Sequence, residues 1–223
     1  MAALKDIKHK INAVHKTRQI TKAMNMVAAS KFKTAQMRME SFRPYAVKFM
    51  EVLDNLALQV DARNHPLLAV REPKRIWLIC MTSDRGLCGG FNNNLLKAAE
   101  RFIREKRGQG REVSILPVGR KARDFFRKKV DLIHPRPDVL VQFDMGLAVG
   151  IAGDVIGPFV REDYDELYLL YNEFVTVAAH HPSMVRLFPF PTIGRDEEID
   201  PRRRLDALYE PSEAIRARKK ISR

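Results

Sequence analysis

The chain has 223 residues, 45% of them hydrophobic and 30% charged, and its formal net charge is +13. This length suits one α/β domain with an appendage, and the hydrophobic fraction argues against wholesale disorder. No apolar run is long enough to span a membrane, and the opening residues lack the apolar core of a secretory signal. Two cysteines are too few for a disulfide framework, so a reducing cytosol is the expected compartment.

The first 57 residues carry an apolar stripe that repeats every seven positions, which predicts a coiled-coil helix. At roughly 1.5 Å per residue this helix would be about 80 Å long, which suits a mechanical or connective role. Arg18, Thr21 and Asn25 interrupt the stripe with polar side chains. The other positions, which we call the seam, are all apolar: Leu4, Ile7, Ile11, Val14, Ala28, Phe32, Ala35, Met39, Phe42, Ala46, Phe49, Leu53 and Leu56.

The positive charge is confined to the two ends of the sequence. Residues 1–50 hold eleven Lys or Arg against two Asp or Glu, residues 211–223 hold five against one, and the stretch between them is neutral. A basic helix fits either nucleic acid phosphates or an acidic protein surface. Because the lysines surround a seam shaped for another helix, we favour an acidic protein partner over nucleic acid. A solvated charged face is the alternative.

The rest of the sequence alternates between strand-like and helix-like patterns. Pro44 predicts a kink in the first helix and not its end, because the apolar register resumes after it. Residues 58–74 form a predicted linker. The alternation beyond it predicts a mostly parallel sheet with helices packed on it. Its elements are strand 76–81, helix 93–107, strand 113–118, helix 120–129, a weak strand 140–143, helix 145–160, and strands 167–177 and 184–188.

A glycine-rich stretch, residues 82–91, separates a buried strand from a helix, where open α/β sheets place ligand sites. Glycines and a helix N-terminus suit an anion, but the spacing matches neither the dinucleotide fingerprint nor a phosphate loop. Cys88 lacks a histidine partner motif for nucleophilic catalysis, and a small buried thiol is the more common outcome. A third interpretation is a tight turn that presents Asp84 and Arg85 to a partner protein.

The side chains that bind metals or move protons are poorly placed for either task. His180 and His181 are adjacent near a strand end, so their side chains should point to opposite faces, and no Cys–His set has zinc spacing. Asp163, Asp165 and Glu166 are predicted to lie in a solvated turn. We therefore expect no metal or cofactor to be bound by this chain, and no general acid–base catalysis.

Several stretches resemble the gamma subunit of the F-type ATP synthase. Residues 4–8 (LKDIK), 20–31 (ITKAMNMVAASK) and 43–46 (RPYA) resemble the N-terminal helix of that family. Residues 83–92 (SDRGLCGGFN) resemble the loop after its first strand, and residues 209–212 (YEPS) are similar in register. The likeness extends over most of the chain.

The resemblance implies a Rossmann-like α/β domain and a long helix that is the rotating central-stalk shaft of the F1 sector. Rotation would couple proton flow through the membrane c-ring to ATP synthesis or hydrolysis at the beta subunits, with no bond chemistry in gamma itself. The implied partners are the alpha, beta and epsilon subunits and the c-ring, with no direct membrane insertion, on the cytoplasmic side of a bacterial inner membrane. The residues implied to contact the beta subunits are Arg18, Thr21, Lys22, Met24, Asn25, Asp84, Arg85 and Cys88.

The family also returns along the shaft with a long C-terminal helix. In this sequence only the eleven residues 213–223 follow the stretch similar to the family, which is enough for at most about three turns of helix. We therefore expect the seam to be covered by a helix from outside the sequence given. Burying a large apolar side chain is worth roughly 1.5–3 kcal/mol, so an uncovered shaft should fray or self-associate.

The expected division is a shaft helix at residues 1–57, a linker at 58–74, an α/β domain at 75–212 and a basic tail at 213–223. Two other functions stay open on the sequence alone. One is a gamma-like, non-rotary coiled-coil adaptor for a different acidic protein partner. The other is a small-molecule enzyme that uses the glycine-rich loop.

Overall fold

The computed structural model describes residues 2–59, 65–139, 144–174, 176 and 179–190, without the side chains of residues 2–3, 43, 47, 50–51 and 53–59. The chain divides into two compact units, Met1–Val52 and Leu53–Arg223. The elements in chain order are α1 (Ala2–Gln59), a 3-10 turn (Pro66–Leu68), β1 (Arg75–Met81), α2 (Phe91–Gly108), β2 (Glu112–Val118), α3 (Arg120–Phe126), α4 (Met145–Val160), β3 (Glu166–Phe174) and β4 (His180–Phe188).

Helix α1 is one continuous helix of 58 residues with Pro44 inside it. Its sequence contains no glycine, and the apolar repeat continues on both sides of the proline. Proline removes one helical hydrogen bond, but the residues beyond it still favour helix. The expectation that Pro44 does not end the helix is therefore confirmed.

The second unit is built on a four-stranded sheet in the order β2-β1-β3-β4. Strand β1 is parallel to both β2 and β3, whereas β3 and β4 are antiparallel. This arrangement confirms the predicted fold class, a long N-terminal helix with a mostly parallel α/β domain. Strand β1 has a parallel neighbour on each side, and its continuous apolar sequence suits a strand whose two faces are both covered by helices.

Helices pack on both faces of this sheet. Ile76, Leu78 and Cys80 of β1 belong to a buried cluster shared with α2 and α3. Ile79, which points to the opposite face because side chains alternate along a strand, belongs to a second buried cluster with Phe159 of α4. The end of β1 and the loop after it are therefore held by a core on each side of the sheet.

Helix α4 has the predicted bounds, and a capping residue marks its start. The Asp144 carboxylate accepts a hydrogen bond from the backbone N–H of Leu147 at 3.0 Å, which satisfies one of the free N–H groups of the first turn. Helix α2 begins two residues before the predicted start, and α3 ends three residues before the predicted end. No described helix is both long enough and apolar enough to cross a membrane.

The predicted start of β4 at residue 184 is wrong, because β4 begins at His180, which pairs with Phe174 of β3. The pattern His180-His181-Pro182 hid this start, since proline is rare within a sheet and is tolerated mainly on edge strands. The described part of β3 ends at Phe174, and its predicted end at residue 177 lies outside the described residues. The predicted weak strand 140–143 lies outside the described residues.

The predicted solvated turn before β3 is wrong for two of its three carboxylates. Asp165 is 6% exposed, and its Oδ2 accepts hydrogen bonds from the backbone N–H groups of Lys74 at 2.8 Å and Arg75 at 2.7 Å. Glu166 is already part of β3, with a side chain that is 12% exposed. Only Asp163 keeps a half-exposed side chain. Asp165 thus ties the start of β1 to the residue that precedes β3.

Candidate functional site

The seam of α1 is open to solvent in this structure. Leu4 is 63% exposed and Ile11 is 52% exposed, and the other described seam residues are exposed too, apart from a half-buried Ala46. Leu53 and Leu56 have side chains outside the described set. Apolar side chains that repeat every 3.5 residues form the surface that a partner helix covers in a coiled coil. An exposed surface of this kind indicates a site of protein–protein contact.

The polar interruption of the seam occupies one side of α1. Arg18, Thr21, Lys22 and Asn25 lie together there because residues three, four and seven positions apart share one side of a helix. The Thr21 hydroxyl donates to the carbonyl of Thr17 at 2.8 Å, within the same helix. The two cationic side chains are exposed, so this side of the helix presents positive charge.

Aromatic rings flank the proline of α1. The ring of Tyr45 lies 5.5 Å from that of Phe42 and 5.9 Å from that of Phe49, measured between centroids. All three side chains are about half exposed. These contacts join two seam residues through a residue beside the seam, and they stiffen the helix surface where Pro44 removes a hydrogen bond.

The loop between β1 and α2 is organised by one buried amide. Asn92 is 7% exposed, and its Oδ1 accepts from the backbone N–H of Ser83 at 3.0 Å. Its Nδ2 donates to the Ser83 hydroxyl at 2.8 Å and to the Sγ of Cys88 at 3.1 Å. The Ser83 hydroxyl donates to the carbonyl of Arg85 at 2.6 Å. Both halves of the loop are therefore fastened to the start of α2.

A second set of hydrogen bonds fastens the same loop to its neighbours. The Asp84 Oδ1 accepts from the backbone N–H of Arg120 at 2.8 Å and of Asp138 at 3.0 Å. The hydroxyl of Thr82 accepts from the backbone N–H of Ala122 at 2.8 Å. These contacts fix the loop against the start of α3 and against the turn at residues 137–139, which lies between α3 and α4.

The tip of the loop is Leu87, which stands out in conformation and exposure. Its φ is 61°, in the left-handed region that costs a leucine about 1–2 kcal/mol. Its side chain is 97% exposed. Arg85 is also exposed, whereas Asp84 and Cys88 are half-buried. The outer surface of the loop therefore consists of one hydrocarbon side chain, one guanidinium group and glycine backbone.

Neither cysteine is arranged as a nucleophile. Burial raises the pKa of the Cys80 thiol to about 12, so this thiol stays protonated at neutral pH. Cys88 contacts an amide and a carbonyl, not a histidine. Within the described ranges, no group of three or more His, Cys, Asp or Glu is placed to hold a metal ion. The geometry of this part of the chain suits binding of another protein.

Known proteins identify the family. A family model described as ATP synthase matches residues 3–220. The ATP synthase gamma chain of Syntrophus aciditrophicus is 62% identical over 213 residues, which cover 96% of this chain and 73% of that protein. The chain belongs to the ATP synthase gamma-chain family. The family predicted from residues 20–31 and 83–92 is thereby confirmed.

A second gamma chain agrees with this family, and a solved structure agrees with the fold. The gamma chain of Maridesulfovibrio salexigens is 41% identical over 214 residues, which cover 95% of this chain and 73% of that protein. A chain from the central stalk and c-ring structure of the Tetrahymena thermophila mitochondrial ATP synthase has the same fold, with a TM-score of 0.58. The sequence of that chain is 24% identical to this one, and the match covers 84% of each chain.

In this gamma-family chain the structure separates the predicted contact residues into two kinds. Arg18, Lys22 and Arg85 are exposed and free to meet a partner surface, as are Thr21, Met24 and Asn25 on α1. Asp84 and Cys88 make the hydrogen bonds that shape the loop. Contact of any of these eight residues with the beta subunits stays a prediction.

Sequence reasoning missed two features of the loop, the bonding of Asn92 and the conformation of Leu87. An asparagine next to a helix start resembles a routine cap, and nothing in the sequence shows that its amide reaches back across nine residues to Ser83. A leucine gives no sign of a positive φ. The clustered glycines on either side of Leu87 were the one available signal, because they mark backbone that departs from regular structure.

Proposed function

We propose that this chain is the central-stalk gamma subunit of the F1 sector of a proton-translocating ATP synthase. It would couple proton flow through the membrane ring to ATP synthesis or hydrolysis at the beta subunits by rotation. The observation that carries the proposal is the exposed, lysine-flanked seam of α1 in a chain that is 62% identical to a named ATP synthase gamma chain. A shaft helix requires such a surface, because its apolar side must be covered within the assembly.

In this proposal the chain binds no cofactor and performs no bond chemistry. Residues 1–57 are the shaft, 58–74 the linker, 75–212 the globular domain and 213–223 a basic tail. The shaft contacts the alpha and beta subunits, and the globular domain contacts the epsilon subunit and the c-ring. The complex would be peripheral to a bacterial inner membrane on its cytoplasmic side.

The proposed mechanism is a coupling between rotor angle and the state of each beta subunit. A subunit can bias its neighbour only through contacts that differ between the two states. The exposed cations Arg18 and Lys22 provide such contacts if the beta surface they meet is acidic. Arg85 of the β1–α2 loop provides another. Rotation brings these charges to one beta subunit after another, so each site experiences a changing surface.

Co-purification with synthase subunits tests this function directly. The full chain, mixed with the alpha and beta subunits of Syntrophus aciditrophicus, is expected to elute with them as one complex. Lys22→Glu should weaken the complex, and added salt should weaken it as well, because exposed charge pairs are screened. The matched control is Lys97→Glu, the same change at an exposed lysine of α2. Elution of the full chain apart from both subunits would refute the proposal and favour an adaptor for some other acidic protein.

A further inference from the structure

The loop between β1 and α2 holds an exposed leucine in a conformation that leucine disfavours. Leu87 has a φ of 61° and is 97% exposed. Glycine adopts the left-handed region readily and asparagine adopts it at a small cost, but the β-carbon of leucine makes this region unfavourable for leucine. Glycines lie on both sides, at Gly86 and Gly89. The free chain thus bears a strained backbone here and gains nothing from burial of the side chain.

The loop is rigid on both sides of Leu87. The amide of Asn92 holds Ser83 before the tip and Cys88 after it, and Asp84 accepts two backbone hydrogen bonds from outside the loop. A surface that is already ordered loses little conformational entropy on binding. Leu87 is therefore presented in a fixed position before any partner arrives.

The surroundings of Leu87 are open and carry one charge. A β-carbon added at Gly86 or Gly89 would meet no atom within 4 Å, so a partner can approach the backbone on either side of the leucine. Arg85 is exposed beside it, while the carboxylate of Asp84 is occupied by backbone N–H groups. The tip consequently offers a branched hydrocarbon next to a positive charge.

We propose that Leu87 is a preformed anchor that inserts into an apolar pocket of a beta subunit whose rim carries a carboxylate facing Arg85. This proposal rests on the proposed function, which supplies the partner. An apolar side chain that fills a pocket at the centre of an interface contributes much of the binding energy. The anchor adds Leu87 to Asp84, Arg85 and Cys88, the loop residues already predicted to contact beta.

The test compares two asparagine substitutions at exposed apolar positions of the same unit. Leu87→Asn removes the hydrocarbon and suits the left-handed backbone, and Val70→Asn is the control at a residue that is 81% exposed. Binding of the full chain to alpha and beta subunits is expected to weaken by about 10- to 100-fold for Leu87→Asn. Val70→Asn and Leu87→Met, which keeps the hydrocarbon, should bind like the unmodified chain.

Thermal unfolding of the free chains provides the second readout. Leu87→Asn should melt at the same temperature as the unmodified chain or higher, because asparagine relieves the strained backbone. A lower melting temperature would overturn the strain argument. Unchanged binding of Leu87→Asn, or an equal loss with Val70→Asn, would overturn the anchor while leaving the proposed function intact. Failure of the unmodified chain to bind would remove the proposed function and the anchor with it.

Discussion

Replacing Asn92 with alanine is expected to destabilise the α/β unit by about 2–4 kcal/mol. The substitution removes the acceptor of the Ser83 N–H and the donor to the Ser83 hydroxyl and the Cys88 sulfur. Each net hydrogen bond is worth about 0.5–1.5 kcal/mol, and a buried group left without a partner costs about 1–3 kcal/mol. Because Asn92 is 7% exposed, water cannot easily replace the lost partners.

Urea unfolding followed by tryptophan fluorescence measures this loss in the appropriate unit. The chain has a single tryptophan, Trp77 of β1, whose ring stacks on that of Tyr164 at 4.2 Å between centroids. Its signal therefore reports the α/β unit. Asn93→Ala is the matched control, because Asn93 is the adjacent asparagine of the same helix but is exposed. Its free energy of unfolding should change by less than about 0.5 kcal/mol.

Asn92→Asp separates the two roles of the amide. Aspartate keeps an acceptor for the Ser83 N–H but cannot donate to the hydroxyl or to the Cys88 sulfur. Its loss of stability should therefore lie between those of Asn93→Ala and Asn92→Ala. If Asn92→Ala unfolds at the same urea concentration as Asn93→Ala, the amide does not organise the loop and the reasoning is refuted.

Three further predictions concern the α/β unit. Gly119→Ala should lower the free energy of unfolding by about 3 kcal/mol or more in the same urea assay. Gly119 has a φ of 96°, and an added β-carbon would lie 2.2 Å from the carbonyl oxygen of Thr82. A smaller loss would mean that the backbone there can relax. A thiol reagent should modify Cys88 of the folded chain and reach Cys80 only on unfolding, since burial raises the pKa of Cys80 to about 12. Two modified thiols per folded chain would contradict this prediction. Burial also raises the pKa of Tyr168 to about 12 from an ordinary value of 10.0. As the pH rises, the unfolded chain therefore loses the phenolic proton first, and the free energy of unfolding should fall between about pH 10 and 12. Tyr168→Phe should reduce this fall in stability. An undiminished fall would assign the pH dependence to other groups.

The sequence predicted those parts of the fold that depend on local pattern. The heptad repeat of α1 has a single periodicity over many turns, so the helix and its apolar side could both be read from it. Strand β1 was clear because an apolar run bounded by polar residues fits a strand buried on both faces. Helix α4 was predicted from the helical spacing of its apolar residues, despite its glycines.

Features that depend on tertiary contacts could not be predicted in the same way. Asp165 looks like a residue of a solvated turn until the backbone of Lys74 and Arg75 is placed against it. The left-handed conformation of Leu87 occurs in a loop whose flanking residues, Ser83 and Cys88, are held by Asn92 of the next helix. The start of β4 was hidden because His180 and Pro182 resemble loop residues, although pairing with β3 holds them in a strand.

Hydrogen exchange of the α1 amides tests most directly the claim that the seam is covered by synthase partners. An isolated helix with an exposed apolar side is marginally stable in water, and covering its 13 seam residues is worth on the order of 10 kcal/mol. In the full chain alone the α1 amides should exchange rapidly, and in complex with alpha and beta subunits the same amides should be strongly protected. Equal protection of α1 in the two samples would contradict the account.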